Sequence, residues 1–169
     1  MTNVETLMAI LSRYPFAEEL RPSDLAKLCT MACEVPFRKN EIIFREGDEC
    51  STFYLLTAGR VILEIEVGGC PLGIETLEAG DELGWSSMLM RDRRHFQARA
   101  LEPSHALAFD GAELNRACKE DPAFGYALLY RLLGVVARRL QLTRMRLVEP
   151  DGMGPPANRP GGSLPGTPR

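Results

Sequence analysis

The 169-residue chain has one tryptophan, two histidines and only 7% aromatic residues, and its 20 basic residues fall short of its 23 acidic ones, for a formal charge of −3. Each shortage excludes something. A sequence pI near 5.5 removes the general electrostatic reason to expect nucleic acid, because binding to a phosphate backbone relies on a basic excess. His95 and His105 form no His-x-His pattern, which speaks against the two-histidine, one-carboxylate metal sites of oxygenases. No apolar run approaches the roughly 18 residues of a membrane span. The start, MTNVETLMAILSRYPF, has neither a basic n-region nor a small-residue cleavage site, so the chain is expected to be neither secreted nor inserted. The five cysteines (Cys29, Cys33, Cys50, Cys70, Cys118) are odd in number and make no CxxC pair. That argues against a disulfide framework and for a reducing compartment, with the cytoplasm expected. Cys29 and Cys33, read as four apart on one helix, are packed thiols in this reading, not ligands of a metal or cluster. With neither a Walker-type loop nor a nucleophile elbow, no catalytic residue, metal ligand or required cofactor is expected, and the chain does not read as an enzyme.

What is present divides the length unequally. Residues 150–169, PDGMGPPANRPGGSLPGTPR, hold six of the twelve prolines and five of the fifteen glycines, a composition that prevents regular structure, so this tail is expected to be disordered. Residues 1–149 form the expected folded unit. Helical spacing of apolar residues marks about 3–30, broken at Tyr14-Pro15 and restarted at Pro22-Ser23-Asp24. From about 33 to 110, short runs rich in Val, Ile, Phe, Tyr and Thr alternate with turn signals at intervals near ten residues, the rhythm of an antiparallel β-roll or jelly roll and not of βα units. Helical spacing returns over about 111–148, with Asp121-Pro122 as the start of a long helix. That helix carries one apolar face at Leu128, Leu132, Val135 and Leu142 for the β-unit. A second seam at Leu129, Leu133, Val136, Leu140, Thr143 and Leu147 steps 4-3-4-3-4, the pattern of a two-stranded coiled coil, and predicts a homodimer.

Chemistry concentrates in GDELGWSSMLMRDRR. A turn, a short helix beginning near Gly84 to Ser86 and a return loop with Arg93 and Arg94 together present unpaired backbone N–H groups and a planar guanidinium fork to an anion. The competing reading is a solvated basic loop.

The order of these elements resembles the cyclic nucleotide-binding domain of the catabolite activator and FNR-like regulators, over about residues 5–147. Phe44, Gly47, Asp48, Tyr54, Leu56, Gly59 and Val61 match the family's F-x-x-G-D-x(5)-Y-x-L-x-x-G-x-V segment, whose residues the resemblance assigns to turns and core packing, and Gly80-Asp81 into Gly84 matches the entry to its phosphate-binding cassette. The resemblance implies a cassette of Gly84, Trp85, Ser86, Ser87, Arg93, Arg94 and His95, with Arg94 at the phosphate arginine. It also implies Thr143 as the base contact. The sequence departs from the pattern where Trp85 replaces the glutamate that receives the ribose 2′-hydroxyl, where His95 and Phe96 replace Ser/Thr and Ala, and where Arg144 replaces Ser. An alternative register makes Glu82 the carboxylate but lengthens the interval to the arginines by three residues. Two readings follow: a nucleotide-type phosphorylated ligand with altered selectivity, or a cassette plugged by Trp85, Phe96 and Met88. The expected function is that of a non-catalytic sensor for a cyclic nucleotide or related nucleotide, signalling through the last helix to a partner protein, with no DNA-binding domain of its own. The alternative, carried by resemblance to the accessory subunit of NAD-reducing hydrogenases, is a docking subunit of a redox complex with an empty pocket.

Overall fold

The structure, a computed structural model, describes residues 4–14, 17, 20–89 and 93–148, apart from the side chains of 146–148. The expected tail at 150–169 lies outside the described residues. Two short helices open the chain, α1 (Val4–Leu11) and α2 (Pro22–Met31). Proline in the first turn of α2 costs no hydrogen bond, since the N–H it lacks has no intrahelical acceptor there. The helix ends at Ala32, which is extended at φ −80°, ψ 135°. Cys33 therefore opens a strand, and the expectation that Cys29 and Cys33 share a helix face is corrected.

Among the described residues eight strands follow: β1 (Cys33–Phe37), β2 (Ile42–Phe44), β3 (Thr52–Ala58), β4 (Arg60–Val67), β5 (Cys70–Glu78), β6 (Glu82–Leu83), β7 (Gln97–Ala100) and β8 (Ser104–Asp110). They form two antiparallel four-stranded sheets, ordered β1-β8-β3-β6 and β2-β7-β4-β5. The expected β-roll is thus present, with one strand, β6, inside the segment read as a turn. A single-turn helix, α3 (Ser86–Leu89), lies between β6 and β7.

Period-two alternation gives the first sheet two apolar faces. Leu56, Leu83 and Ala106 turn inward to meet Val61, Leu63, Leu77 and Ala98 of the second sheet, with Phe37, Phe44 and Tyr54 packed at the margin. Phe53, Leu55, Leu107 and Phe109 turn outward and join a helical cluster. That cluster takes Leu7 and Leu11 of α1, Leu25 and Leu28 of α2, and Leu114 of α4 (Gly111–Glu120). It also takes Phe124, Leu128, Leu132 and Val135 of α5 (Pro122–Val148). Both closing helices start on an aspartate side chain that receives a backbone N–H: Asp110 from Glu113 at 2.8 Å and Asp121 from Phe124 at 3.1 Å. The chain divides into two compact units, residues 1–135 and 136–169; in the first, Leu128, Leu132 and Val135 are buried, whereas Leu142 in the second is exposed.

Candidate functional site

The cassette is built where β6 ends. Leu83 pairs with Tyr54 and Glu82 with Leu55, and the chain then turns at Gly84 with φ +75°. A Cβ at this position would fall 2.5 Å from the Thr52 carbonyl oxygen and 2.6 Å from Arg94 Nη1, so only glycine fits. α3 begins at once, its turn closed by Ser87 N–H donating to Gly84 O at 3.0 Å and Met88 N–H to Trp85 O at 3.1 Å.

Beyond residues 90–92, which lie outside the described residues, Arg93 and Arg94 are laid along the loop that precedes β3. Arg93 bridges Glu49, the Gly47 N–H donates to Arg94 O at 2.8 Å, and the Arg94 N–H donates to Asp48 O at 2.8 Å. Arg93 Nη1 donates to Gly47 O at 2.8 Å. The motif residues Gly47 and Asp48 therefore do more than set a turn: their backbone holds the arginine pair.

Arg94 is the most constrained of these side chains. It is 5% exposed, its guanidinium stands 4.2 Å from the centre of the Phe44 ring, and Nη2 donates to Thr52 O at 2.6 Å. Its Nε finds no hydrogen-bond partner among the described residues. Burial pushes its pKa below the usual guanidinium value, against the opposing influence of Cys50, Tyr54 and Asp48. Among the described residues no carboxylate lies within ion-pair distance of it. A buried cation without a paired anion is costly, and its fork offers two donors to planar or tetrahedral oxyanions.

The other expected residues divide. Ser86 contacts Cys50 Sγ through its Oγ at 3.3 Å, and Ser87 Oγ is buried with no partner among the described residues. His95 is exposed. Trp85 is half-buried and packs, with Met88, against the helical cluster, while Phe96 is 40% exposed. The aromatic rings beside Arg94 are instead Phe44 and Tyr54, stacked at 6.5 Å. Sequence reading assigned both to packing; the signal available was their place in the motif that flanks the arginine's loop. Cys50 and the Thr52 carbonyl carried no such signal. On α5, the Thr143 hydroxyl donates to Arg139 O at 2.9 Å. Of the seam, Leu129, Leu133 and Leu140 are exposed and Val136 half-buried, and the side chain of Leu147 lies outside the described ones.

Two surface clefts, about 820 Å³ beside Arg38, Lys39 and His105 and about 350 Å³ beside Arg45, Glu64 and Gln97, contain no cassette residue. Among the described residues no group of three or more His, Cys, Asp or Glu is placed to hold a metal ion, and no helix is long and apolar enough to cross a membrane.

The family model described as "Cyclic nucleotide-binding domain" matches residues 34–121, from β1 through α4, and contains the whole cassette. The chain belongs to the cyclic nucleotide-binding domain family. This cyclic nucleotide-binding domain is similar to a putative potassium channel protein of Rhodopseudomonas palustris, at 25% identity over 135 residues, 79% of the chain and 32% of the channel. It thus spans about a third of that relative's length. Among solved structures it is similar to a putative cyclic nucleotide-binding protein from Geobacter metallireducens, with a TM-score of 0.71 and 24% identity, covering 83% of this chain and 99% of that one. A second likeness is to the catabolite activator protein of Thermus thermophilus, with a TM-score of 0.67 and 24% identity, covering 79% and 62%. Both share the β-roll of this domain.

Proposed function

We propose that the chain is a non-catalytic sensor module. It takes a phosphorylated nucleotide, a cyclic nucleotide first among them, at Gly84, Ser86, Ser87, Arg93 and Arg94, and its occupancy is read by a partner protein through α5. The observation that carries this reading is Arg94, a guanidinium 5% exposed with one backbone acceptor and no paired carboxylate among the described residues. A phosphate supplies the missing negative charge. In this reading the start of α3, which follows Gly84 directly, and the buried Ser87 hydroxyl supply further donors. Trp85 takes no part in ribose recognition in this reading, because its indole packs on the helical cluster.

Calorimetric titration of the full chain with cyclic AMP, cyclic GMP, cyclic dinucleotides and NADH tests this, with the emission of Trp85, the single tryptophan, as a second readout. At least one cyclic nucleotide should bind, and Arg94→Gln should weaken it by about 10- to 100-fold, the worth of a charge-assisted hydrogen bond of about 1.5–3 kcal/mol. Silence in both readouts for every ligand would overturn the sensor reading and leave a docking subunit with an empty pocket.

A further inference from the structure

Cys50 shares its surroundings with Arg94. The segments 50–52 and 84–86 meet at both ends. At one end Arg94 Nη2 donates to Thr52 O at 2.6 Å, and the place of a Cβ on Gly84 is 2.6 Å from Arg94 Nη1. At the other, Cys50 Sγ and Ser86 Oγ are 3.3 Å apart. Two residues of chain span at most about 7 Å, so thiol and guanidinium are neighbours, and Cys50 comes first among the groups whose charged form favours the Arg94 cation. The main chain of Arg94 is tied to the same loop, its N–H donating to Asp48 O at 2.8 Å.

The slot between them is short of an anion. Arg94 is 5% exposed, and among the described residues its Nε has no hydrogen-bond partner and no carboxylate pairs with it. The hydroxyl of Ser87, a residue 7% exposed, also lacks a partner among them. A buried guanidinium gains most from an anion that is itself held in place. A thiol supplies none, whereas its sulfinate carries a full charge and two acceptor oxygens. Cys50 is half-buried and open to a small oxidant, while Cys29 is 3% exposed.

We infer that Cys50 is an oxidation site: a hydroperoxide converts its thiol to a sulfinate, and that anion pairs with Arg94 in the slot that a phosphate would take. Two equivalents of peroxide are consumed. Each forms one S–O bond, breaks one O–O bond and leaves, in the case of hydrogen peroxide, as water; sulfur is oxidised through the sulfenic to the sulfinic acid, which gives its proton to solvent. The slot is that of the sensor reading, and the inference rests on that reading only for the claim that oxidation shuts out a ligand.

Cys50→Asp sets a carboxylate where the sulfinate would stand, and Cys50→Asn is its uncharged control. In thermal melts of the full chain at neutral pH, Cys50→Asp should melt about 2–4 °C above Cys50→Asn, and the gap should vanish when Arg94→Gln is added to both. A Cys50→Asp that melts at or below the control overturns the pairing, as does a gap that survives Arg94→Gln. If Arg94→Gln does not fold, the first comparison decides alone. The oxidation is read on the wild type treated with hydrogen peroxide and digested with trypsin. The peptide 46–60 contains no methionine and no second cysteine, so two added oxygen atoms there report on Cys50 alone. Arg94→Gln should slow that gain about 10-fold, the kinetic weight of one charge-assisted contact, and leave the exposed Cys33 and Cys70 unchanged. A Cys50 that stays reduced while Cys33 and Cys70 react, or that reacts equally fast in both proteins, overturns the site. None of these readouts uses a nucleotide, so a failed sensor reading leaves them standing. Where a cyclic nucleotide binds the wild type, Cys50→Asp should weaken it at least about 10-fold; unchanged affinity overturns the closing of the slot and leaves the sensor reading intact.

Discussion

Gly84 shows how narrow the tolerance of this site is at the scale of one residue. Its φ of +75° lies in the left-handed region that costs other residues about 1–2 kcal/mol, and the missing Cβ leaves the space into which the Arg94 guanidinium fits. Gly84→Ala should therefore lower stability by at least about 2 kcal/mol in denaturant titration. It should also abolish nucleotide binding under conditions in which the variant is still folded. A variant with wild-type stability and affinity would show that the turn is looser than described. Much of this was legible in the sequence: the position of Gly84, the arginine pair and their distance apart all follow from the motif. What was not legible is where the side chains turn. Trp85 reads as a plug because the resemblance puts it at the ribose-binding position; it follows a left-handed glycine, and in the structure it is half-buried and packs against the helical cluster. Phe44 looked like core because it is a strand residue in an alternating run, yet its ring is the surface on which Arg94 lies.

Between elements, the link between β2, β7 and β4 is polar where the motif predicts only packing. Glu64 is buried and receives hydrogen bonds from the Arg99 guanidinium, at 3.1 Å from Nε and more closely from Nη2, and from Gln97 Nε2 at 3.2 Å. Arg45 extends the chain to Gln97 at 3.3 Å. The Arg99 guanidinium holds the Glu64 carboxyl below the usual carboxylate range, against burial, which acts upward. A carboxylate with a depressed folded pKa stabilises the fold in full above its unfolded pKa, about 4.3, and loses that contribution as pH falls through the folded value. Glu64→Gln should cost about 1–3 kcal/mol at neutral pH, the penalty for disrupting a buried charged pair. The gap to the wild type should close on acidification from about pH 5 to pH 3. Thermal melts across that range check the sign; a gap that widens in acid would mean that the carboxyl is protonated in the native state. No periodicity announces such a cluster, because Glu64, Gln97 and Arg99 come together only through the antiparallel register that pairs Glu64 with Gln97 and Ile62 with Arg99.

At the scale of the molecule, the first compact unit, residues 1–135, is held by a cluster to which α1, α2, β3, β8, α4 and the start of α5 all contribute. Leu128 lies in it with no exposed surface. Leu128→Ala should lower unfolding stability by about 2–5 kcal/mol, as large-to-small core changes do. Unfolding should remain a single transition, because the helices and the first sheet share one core. Separate helix and sheet transitions, seen by circular dichroism and by Trp85 emission, would contradict that. The architecture was accessible from sequence because its signals are periodic and local: strands near every ten residues, the Asp121-Pro122 start, and Leu128, Leu132 and Val135 at helical spacing. The long-range order of the strands was not, since β6 has two residues and sits among turn signals.

α3 has four residues and two allegiances. Trp85 and Met88 belong to the helical cluster, while Gly84 on one side and Ser86 on the other face Arg94 and Cys50. So short a segment has no slack to absorb movement at one end. Linkage is reciprocal: whatever free energy an anion at Arg94 transmits to the packing of Trp85, a change in that packing returns to the anion's affinity by the same factor. On the proposed reading, the helices that pack on Trp85 and Met88 thereby act as a second, apolar ligand of the cassette, whose quality of fit would set the affinity for the first.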